Sequence, residues 1–392
     1  MTPAARVQAA IEVLDLVLAS ARDGGPPADA ILSDYFRARR YAGSGDRRAV
    51  RDLVYRAIRR SGERPESGRA AMLGLADDAP ELLGLFGGGG HGPAPVKPNE
   101  LHAPAALAPD WLTGRFAAPI DAGELEALLA RAPLDLRVNR LKASVDDMLA
   151  ALPQATPAPH APDGLRLPEG ERVDEHPAYR DGQIEVQDAG SQLIALACEA
   201  RPGTTVVDLC AGAGGKTLAL AAAMRNEGRL IATDTDRARL SRLPERAARA
   251  GAEVEAKLLD PGRELDALGE LMGAADIVLV DAPCSGTGTW RRNPELRWRL
   301  TPERLARLAR TQAHVLDIAA ELTRPGGALV YAVCSILAEE GEGQGTAFLS
   351  RHSGWESEEP FAAGRPSGPG RLLTPAHDGT DGFWVARFRR PC

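Results

Sequence analysis

Apolar and polar residues alternate with helical spacing through the N-terminal part of the chain. Residues 5–20 predict a helix whose apolar positions recur every three or four residues: Val7, Ala10, Ile11, Leu14 and Leu18. A second helical pattern covers 46–60, which Ser44 or Asp46 can cap, and a third covers 70–86. The N-terminal part is therefore predicted to be a small all-α domain.

The pattern becomes irregular in the middle of the chain. A Gly- and Pro-rich stretch runs from Gly87 to Pro98 and predicts a linker, and a helical region is expected near 105–131. Two short strands are predicted, at 136–142 and 183–187, and the Pro-rich stretch 153–168 between them is expected to be loop. These pieces predict a small α/β subdomain.

From about residue 191 onward, short apolar strands alternate with helical segments. This order predicts a doubly wound, mostly parallel sheet, in which ligands bind at the carboxyl ends of the strands. The predicted strands are 205–210, 229–234, 254–259, 275–281, 327–333 and 382–388. The predicted helices are 191–200, 216–225, 237–250 and 302–322.

The fold class is thus α/β, with four predicted parts: residues 1–90, all-α; 91–130, linker and connecting helices; 131–190, the small α/β subdomain; and 191–392, the last domain. We find no apolar run long enough to span a bilayer and no signal-peptide pattern, so a cytoplasmic protein without a membrane partner is expected. The five cysteines are odd in number and form no CxxC pair, which argues against disulfides and zinc, so we expect no metal. A monomer is the working expectation.

The charge is unevenly distributed. The net charge is −7, yet positions 35–69 hold eleven arginines and only four acidic residues. A second basic run, between Arg291 and Arg299, has Trp298 interleaved. Either run is typical of a solvated helix face or of a nucleic-acid interface, and charge distribution decides between them better than net charge does.

A glycine-rich turn follows the first strand of the last domain. The turn reads Cys210, Ala211, Gly212, Ala213, Gly214, Gly215 and Lys216, beside a predicted helix N-terminus. A nucleotide-triphosphate loop would need glycine at position 210, and a dinucleotide fingerprint would need glycine at position 217, so both patterns fail. A turn without a ligand remains the bland alternative.

Acidic residues at successive strand ends favour S-adenosylmethionine (SAM) as the ligand of this turn. Asp208 ends the first strand, and Asp234 ends the next, where it can accept from ribose hydroxyls. Asp260 ends the third strand, where it can contact the adenine amino group. This pattern predicts a SAM site.

Two cysteines follow strands that are expected to be neighbours. Cys284 lies in Asp281-Ala-Pro-Cys284, and Cys334 lies in Tyr331-Ala-Val-Cys334. A single cysteine at such a position is most often a small buried hydrophobic residue. Burial alone is a weaker explanation for two cysteines at the ends of two neighbouring strands. Carbon 5 of cytosine becomes nucleophilic once a thiolate adds to carbon 6, and a second thiol can assist removal of the carbon-5 proton. Asp281 can bind the N3/N4 edge of the ring, and Lys216 can position Asp281 or the base.

The runs DLCAGAGGKT, DAPCSGTGT and VCSILAEE resemble the motifs of the Sun/Fmu (Nop2-type) family of RNA 5-methylcytosine methyltransferases. LRVNRLK and IEVQDAGSQ also fit the region before the catalytic domain of that family. The resemblance covers about residues 105–388 and implies a Rossmann-like class I SAM methyltransferase domain. It implies Cys334 as nucleophile, Cys284 as the release cysteine, and SAM contacts from Cys210 through Lys216 and from Asp234, Asp260 and Asp281.

The chain departs from the family pattern in three places. Val333 stands where the family usually has Thr, Gly212 precedes Ala213-Gly214-Gly215 in place of the usual Ala-Pro-Gly-Gly turn, and the acidic stretch 339–342 lacks the common Asn. The N-terminal run 45–60 resembles, more weakly, a NusB-like RNA-binding domain. That resemblance implies small-subunit ribosomal RNA as the partner.

Three other functions remain open at the sequence level. Transfer RNA could be methylated by the same chemistry. A non-catalytic RNA-binding assembly factor could keep a methyltransferase fold, although Cys284, Cys334, Asp281 and Lys216 are all intact. A DNA 5-methylcytosine enzyme would instead use the Pro-Cys thiol, Cys284, as its nucleophile.

Overall fold

The computed structural model describes residues 1–87, 89–168 and 170–392, so Gly88 of the predicted Gly-rich linker lies outside the described residues. The chain divides into two compact units. The first comprises residues 1–116, 125–130 and 289–302. The second comprises residues 117–124, 131–288 and 303–392.

The first unit is built on four α-helices: α1 (Pro3–Asp23), α2 (Ala28–Arg37), α3 (Ser44–Arg60) and α4 (Gly68–Asp78). Its 3₁₀ segments are Pro80–Leu85, Asp110–Leu112 and Pro294–Arg299. The start of α1 follows from its sequence, because the Thr2 side chain accepts from the Ala5 N–H and Pro3 occupies the first helical position. Its apolar face, including Val7 and Leu14, packs into a core shared with the other helices.

The start of α3 differs from the prediction. Gly43 is its N-cap, and the Asp46 carboxylate accepts from the Gly43 N–H at 3.2 Å. Ser44 and Asp46 are both inside the helix, so neither is the N-cap residue, but Asp46 caps the helix from its third position through this hydrogen bond. A carboxylate in the first turn still stabilises the helix, since it faces the positive end of the helix dipole.

The second basic run belongs to the core of the first unit, which neither sequence interpretation anticipated. Arg297 is almost completely buried and donates to the carbonyls of Ile58 and Leu107, at 2.5 and 2.9 Å. Trp298 is also buried, and its indole N–H donates to the Ser61 carbonyl. The run is therefore neither a solvated helix face nor a free basic surface.

The smaller sheet of the second unit has strand order β2-β3-β1-β4, and its pairings are antiparallel. Its elements are β1 (Leu134–Val138), α6 (Val145–Ala151), β2 (Thr156–Pro157), β3 (Gly164–Leu167), α7 (Pro177–Arg180) and β4 (Ile184–Val186). The helix that precedes them, α5 (Ala122–Leu129), has its last five residues in the first unit. Two predictions fail here. Most of 105–131 is irregular, and β3 lies in the stretch expected to be loop.

The larger sheet carries the motifs. Its order is β11-β12-β13-β9-β8-β5-β6-β7, with β10 paired to β13. The strands are β5 (Thr204–Asp208), β6 (Gly228–Asp234), β7 (Glu255–Leu258), β8 (Ala275–Asp281), β9 (Thr323–Val333), β10 (Glu356–Glu358), β11 (Arg365–Ser367), β12 (Gly370–Leu373) and β13 (Phe383–Arg389). The five strands from β9 to β7 are parallel, as predicted, whereas β10 to β13 form an antiparallel extension that the sequence analysis largely missed.

Helices accompany the parallel strands. They are α8 (Ala189–Ala197), α9 (Gly215–Met224), α10 (Arg237–Leu240), α11 (Leu243–Ala250), α12 (Glu264–Leu268), α13 (Pro302–Leu322), α14 (Glu342–Arg351) and α15 (Pro375–Asp378). The helix predicted over 237–250 is thus broken into α10 and α11. Among the described residues, no helix is both long and apolar enough to cross a membrane.

Candidate active site

The glycine-rich turn joins β5 to α9. Gly212 and Gly214 have φ angles of +56° and +86°, in the left-handed region that favours glycine. A Cβ at Gly214 would also collide with the Leu243 side chain on α11. The turn brings Lys216 into the first turn of α9, and it leaves backbone near a helix N-terminus free of bulky side chains.

The acidic residues form a row along one edge of the sheet. Because β8, β5, β6 and β7 are adjacent in that order, Asp281, Asp208, Asp234 and Asp260 follow one another across their carboxyl ends. Asp234 is buried, and its carboxylate accepts from the N–H groups of Gly212 and Asp236 at 2.8 and 2.7 Å. Asp260 is exposed. The row thus places carboxylates beside the turn that the sequence analysis assigned to SAM.

Asp208 and Cys210 lie at the start of the glycine-rich turn, and their side chains have shifted pKa values. Asp208 is buried and accepts from the Thr217 hydroxyl at 2.6 Å, and burial raises its pKa to about 7. Burial, together with the charges of Asp234 and Asp208, raises the pKa of the Cys210 thiol well above its ordinary value. Cys210 is therefore a neutral thiol at neutral pH and is unsuited to act as a nucleophile.

The two thiols predicted at neighbouring strand ends are in contact. Strands β8 and β9 are parallel neighbours, and the Sγ atoms of Cys284 and Cys334 lie 3.3 Å apart. The Gly288 N–H donates to the Cys334 carbonyl at 3.1 Å, which ties the two turns together. Both cysteines are free and partly exposed, so they are accessible to a reactant.

Lys216 and Asp281 form an ion pair beside the thiols. The Lys216 ammonium donates to Asp281 at 2.7 Å, and the Lys216 side chain is 12% exposed whereas that of Asp281 is 30% exposed. Burial alone would lower the pKa of Lys216, but the charge and hydrogen bond of Asp281 outweigh it and raise the pKa. Lys216 is therefore a cation at neutral pH, and the exposed part of Asp281 can contact a bound base.

The two thiols have different electrostatic surroundings. The hydrogen bond to Cys334, burial, and the charges of Cys334 and Glu340 together raise the pKa of Cys284 well above its ordinary value. The Lys216 cation interacts with Cys334 electrostatically. The raised pKa keeps Cys284 protonated at neutral pH, so Cys284 is poorly suited to attack as a nucleophile.

Sequence reasoning missed the polar residues behind the thiols. Glu340 and Gln312 are fully buried, and they hydrogen-bond the segments that carry Cys284 and Cys334. The only signal in the sequence was the run of acids after Cys334, which charge alone would assign to the surface.

Known protein families match the parts of the chain that contain the two sheets. The family described as 16S rRNA methyltransferase RsmB/F matches residues 195–389, and the RsmF/B-like ferredoxin-like domain matches residues 108–174. The chain is 37% identical over 302 residues to the probable ribosomal RNA small subunit methyltransferase B of Synechocystis, covering 72% of this chain and 66% of that protein. It is 36% identical to ribosomal RNA small subunit methyltransferase B of Klebsiella pneumoniae, over 73% of this chain and 67% of that protein.

One solved structure resembles the whole chain. The crystal structure of PH0851 has a TM-score of 0.78 and 25% identity, and the match covers 100% of this chain and 99% of that one.

Proposed function

Because the chain belongs to the RsmB/F family of 16S rRNA methyltransferases, we propose that it transfers a methyl group from SAM to carbon 5 of cytosine in RNA, with small-subunit ribosomal RNA as the substrate. The observation that carries the proposal is the pair of sulfur atoms 3.3 Å apart beside the Lys216–Asp281 ion pair. The chain spans about two thirds of the length of the curated relatives it matches, 66% for the first, so the substrate is part of the proposal.

The turn and the acidic row would hold the cofactor. The backbone from Cys210 to Lys216 would face it, Asp234 would accept from the ribose hydroxyls, and Asp260 would contact the adenine. The chemistry of these groups fits, because a row of carboxylates beside a glycine turn offers acceptors for hydroxyls and an amino group. When bound, SAM supplies an electrophilic methyl group.

The thiols would act in sequence. The Cys334 thiolate adds to carbon 6 of cytosine, and the electron pair of the carbon 5–carbon 6 bond becomes available at carbon 5. Asp281, held by Lys216, would orient the N3/N4 edge by accepting from the N4 amino group, and the Lys216 cation would stabilise the negative charge that develops on the ring. After methylation, a base must remove the carbon-5 proton, so that the Cys334–carbon 6 bond can break and restore the ring.

Addition by Cys334 would itself prepare Cys284 for that last step. The hydrogen bond and the charge of Cys334 raise the pKa of Cys284 in the free protein. Once Cys334 is a thioether it carries no charge, so these two causes disappear and the pKa of Cys284 falls. Cys284 would then release its own proton to solvent, and the resulting thiolate would accept the carbon-5 proton at the stage when a base is needed.

We further propose the four-part division given by the sequence, with a NusB-like RNA-binding domain over residues 1–90. Its support is the helical first unit and the exposed arginines of α3, among them Arg47, Arg48 and Arg51. Five free cysteines and an RNA substrate fit the reducing cytoplasm.

Replacing each thiol by alanine tests the assignment. Cys334→Ala should reduce methyl transfer to background, because no thiolate remains to add to the ring. In Cys284→Ala, Cys334 should still add to the ring, but its release should be slow. A covalent RNA adduct that survives denaturing electrophoresis should therefore accumulate. Cys392→Ala, the same change at an exposed cysteine, should behave as the parent. Near-normal turnover of Cys334→Ala would show that the nucleophile is misassigned.

The substrate class needs a separate experiment. Purified protein would be offered small-subunit ribosomal RNA, transfer RNA and DNA with labelled SAM, and the product would be sequenced after bisulfite treatment. We expect 5-methylcytosine in the ribosomal RNA. Methylation of transfer RNA alone, or of DNA, would replace the proposed substrate, and absence of methylation on every substrate would favour a non-catalytic assembly factor.

A further inference from the structure

A buried carboxylate lies directly behind the two thiols. Glu340 is fully buried and belongs to the turn that follows β9, six residues after Cys334. Its Oε2 accepts from the hydroxyls of Ser285 and Ser335, at 2.5 and 2.6 Å. Ser285 and Ser335 are the residues immediately after Cys284 and Cys334. One carboxylate oxygen therefore joins the two cysteine turns.

The other oxygen extends the connection to a helix. Oε1 of Glu340 accepts from the Ser285 N–H and from the Gln312 side-chain amide, both at 2.9 Å. Gln312, on α13, also donates to the Pro283 carbonyl at 2.9 Å. Glu340 and Gln312 thus hold the residues on both sides of Cys284.

Gln312 is oriented so that its amide nitrogen donates to the carboxylate. Its amide nitrogen serves both Glu340 and Pro283, while its side-chain oxygen is buried without a hydrogen-bond partner among the described residues. Leaving a buried oxygen unsatisfied costs roughly 1–3 kcal/mol. The network therefore costs stability, because it buries an unsatisfied oxygen and an acid. In return, its hydroxyl and amide donors fix the positions of the two cysteine turns.

We propose that Glu340 is a positioning residue that holds Cys284 and Cys334 in contact, so that the attacking thiol and the release thiol face the same base. The proposal rests on the proposed function for its catalytic meaning, but its structural content concerns only the distance between two sulfur atoms. Glu340 touches neither sulfur in the contacts described above, and it acts through Ser285 and Ser335.

The charged and titratable groups around the pair come from four segments. Glu340 approaches from the turn after β9, Lys216 from α9, Asp281 from the end of β8, and Tyr331 from within β9. The pKa of Cys284 is raised most by its hydrogen bond to Cys334 and by burial, and the charge of Glu340 raises it further. The same carboxylate therefore contributes to the difference between the two thiols.

Three variants separate position from charge. Glu340→Gln keeps the volume and loses the charge, and Glu340→Ala also removes the carboxylate that both serine hydroxyls share. Ser335→Ala removes the hydroxyl that contacts Glu340, Ser285 and Thr287 but leaves the hydrogen bonds of Glu340 to Ser285. The matched control is Glu342→Gln, because Glu342 is two residues further along the same chain and its carboxylate accepts from Ser367 instead. Thermal unfolding of each variant shows whether it has folded.

The first readout is oxidation of the full-length protein by diamide, which requires no RNA. Two thiols lose two protons and two electrons to form one disulfide, and the diazene is reduced to the hydrazine. Parent and Glu342→Gln should cross-link Cys284 to Cys334 rapidly, as measured by mass spectrometry. Glu340→Ala should cross-link at least ten-fold more slowly, and Ser335→Ala should fall between them.

The second readout is methyl transfer. A displacement of about 1 Å can cost roughly 10²-fold in rate, so Glu340→Gln and Glu340→Ala should lower kcat by about 10- to 100-fold with the KM for RNA unchanged. Alkylation of Cys284 by iodoacetamide should also shift to lower pH in Glu340→Gln. Glu342→Gln should match the parent in every assay.

Folded Glu340 variants that cross-link and methylate like the parent would overturn the proposal. If Glu340→Ala does not fold, Glu340→Gln and Ser335→Ala decide by the same criterion. If the parent does not methylate RNA, the proposed function fails, while the cross-linking rates still decide the role of Glu340.

Discussion

At the scale of single residues, burial makes Asp208 a pH-sensitive component of the fold. Thr217 donates to Oδ2 of Asp208, and Oδ1 is buried without a partner among the described residues. The pKa of Asp208 is raised from 3.8 to about 7. Between these values the folded state binds a proton that the unfolded state has released, so the contribution of Asp208 to stability falls as pH rises through this window and is constant above it.

Asp208→Asn should remove this dependence, since an amide does not titrate. We expect the stability of the variant relative to the parent to improve by about 2–3 kcal/mol between pH 5 and pH 8, measured by urea unfolding. Asp266→Asn, at an exposed aspartate paired with Arg263, is the control and should show no such trend. If the free energy of unfolding of Asp208→Asn differed from that of the parent by the same amount at pH 5 and pH 8, the prediction would be wrong.

At the scale of elements, Arg297 completes the C-terminal end of α3. The last carbonyls of a helix lack partners inside it, and Arg297 donates to those of Ile58 and Arg59 while Trp298 donates to that of Ser61. A cation also suits the negative end of a helix dipole. Burial, followed by the charge of Arg59, lowers the pKa of Arg297 to about 9, which leaves it charged at neutral pH.

Arg297→Gln should therefore destabilise the first unit by about 2–4 kcal/mol, because several buried carbonyls lose their donor. Hydrogen exchange should accelerate most at the C-terminal turn of α3. Arg48→Gln, an exposed position on the same helix, should change the unfolding midpoint little. Equal stability of the two variants would show that the buried guanidinium does not support the helix.

The elements that the sequence predicted well are those with a single strong signal. The parallel strands that end in Asp208, Asp234 and Asp281 are largely apolar runs, so their existence followed from the pattern. The pairing of the two strands that precede Cys284 and Cys334 was also predicted. Strand β3 and the antiparallel strands after β9 are short and depend on pairing partners distant in sequence, which local periodicity cannot show. Arg297 and Glu340 were missed for a related reason, since a charged residue whose partners are backbone carbonyls or hydroxyls carries no signal in a charge count.

At the scale of the whole molecule, an acidic protein carries an arginine-rich helix. Arg47 and Arg48 are exposed near the start of α3, whereas Arg60 and Arg69 pair with Asp78 and Glu100. Only part of the basic segment is therefore available to phosphates. Because some of the arginines already pair with acidic residues, the predicted RNA-binding surface is limited to the arginines that are exposed.

Replacing both Arg47 and Arg48 by glutamate should weaken RNA binding and flatten its dependence on salt. Each lost phosphate contact should lower the slope of log affinity against log salt by roughly 0.7–0.9. Arg172→Glu, at an exposed arginine of the second unit, is the control for a charge reversal away from α3. Unchanged affinity and slope in the double variant would remove α3 from the binding surface.

The inclusion of residues 289–302 in the first unit also constrains the order in which the protein can fold as it is synthesised. Trp298 belongs to the same core as α1, yet it leaves the ribosome after the intervening residues 117–288 have been made. At roughly 5–20 residues per second, that delay is about 10 to 40 s. During this interval the helices lack part of their core and the end of α3 lacks its arginine, so the nascent first unit exposes apolar surface for longer than a contiguous domain would.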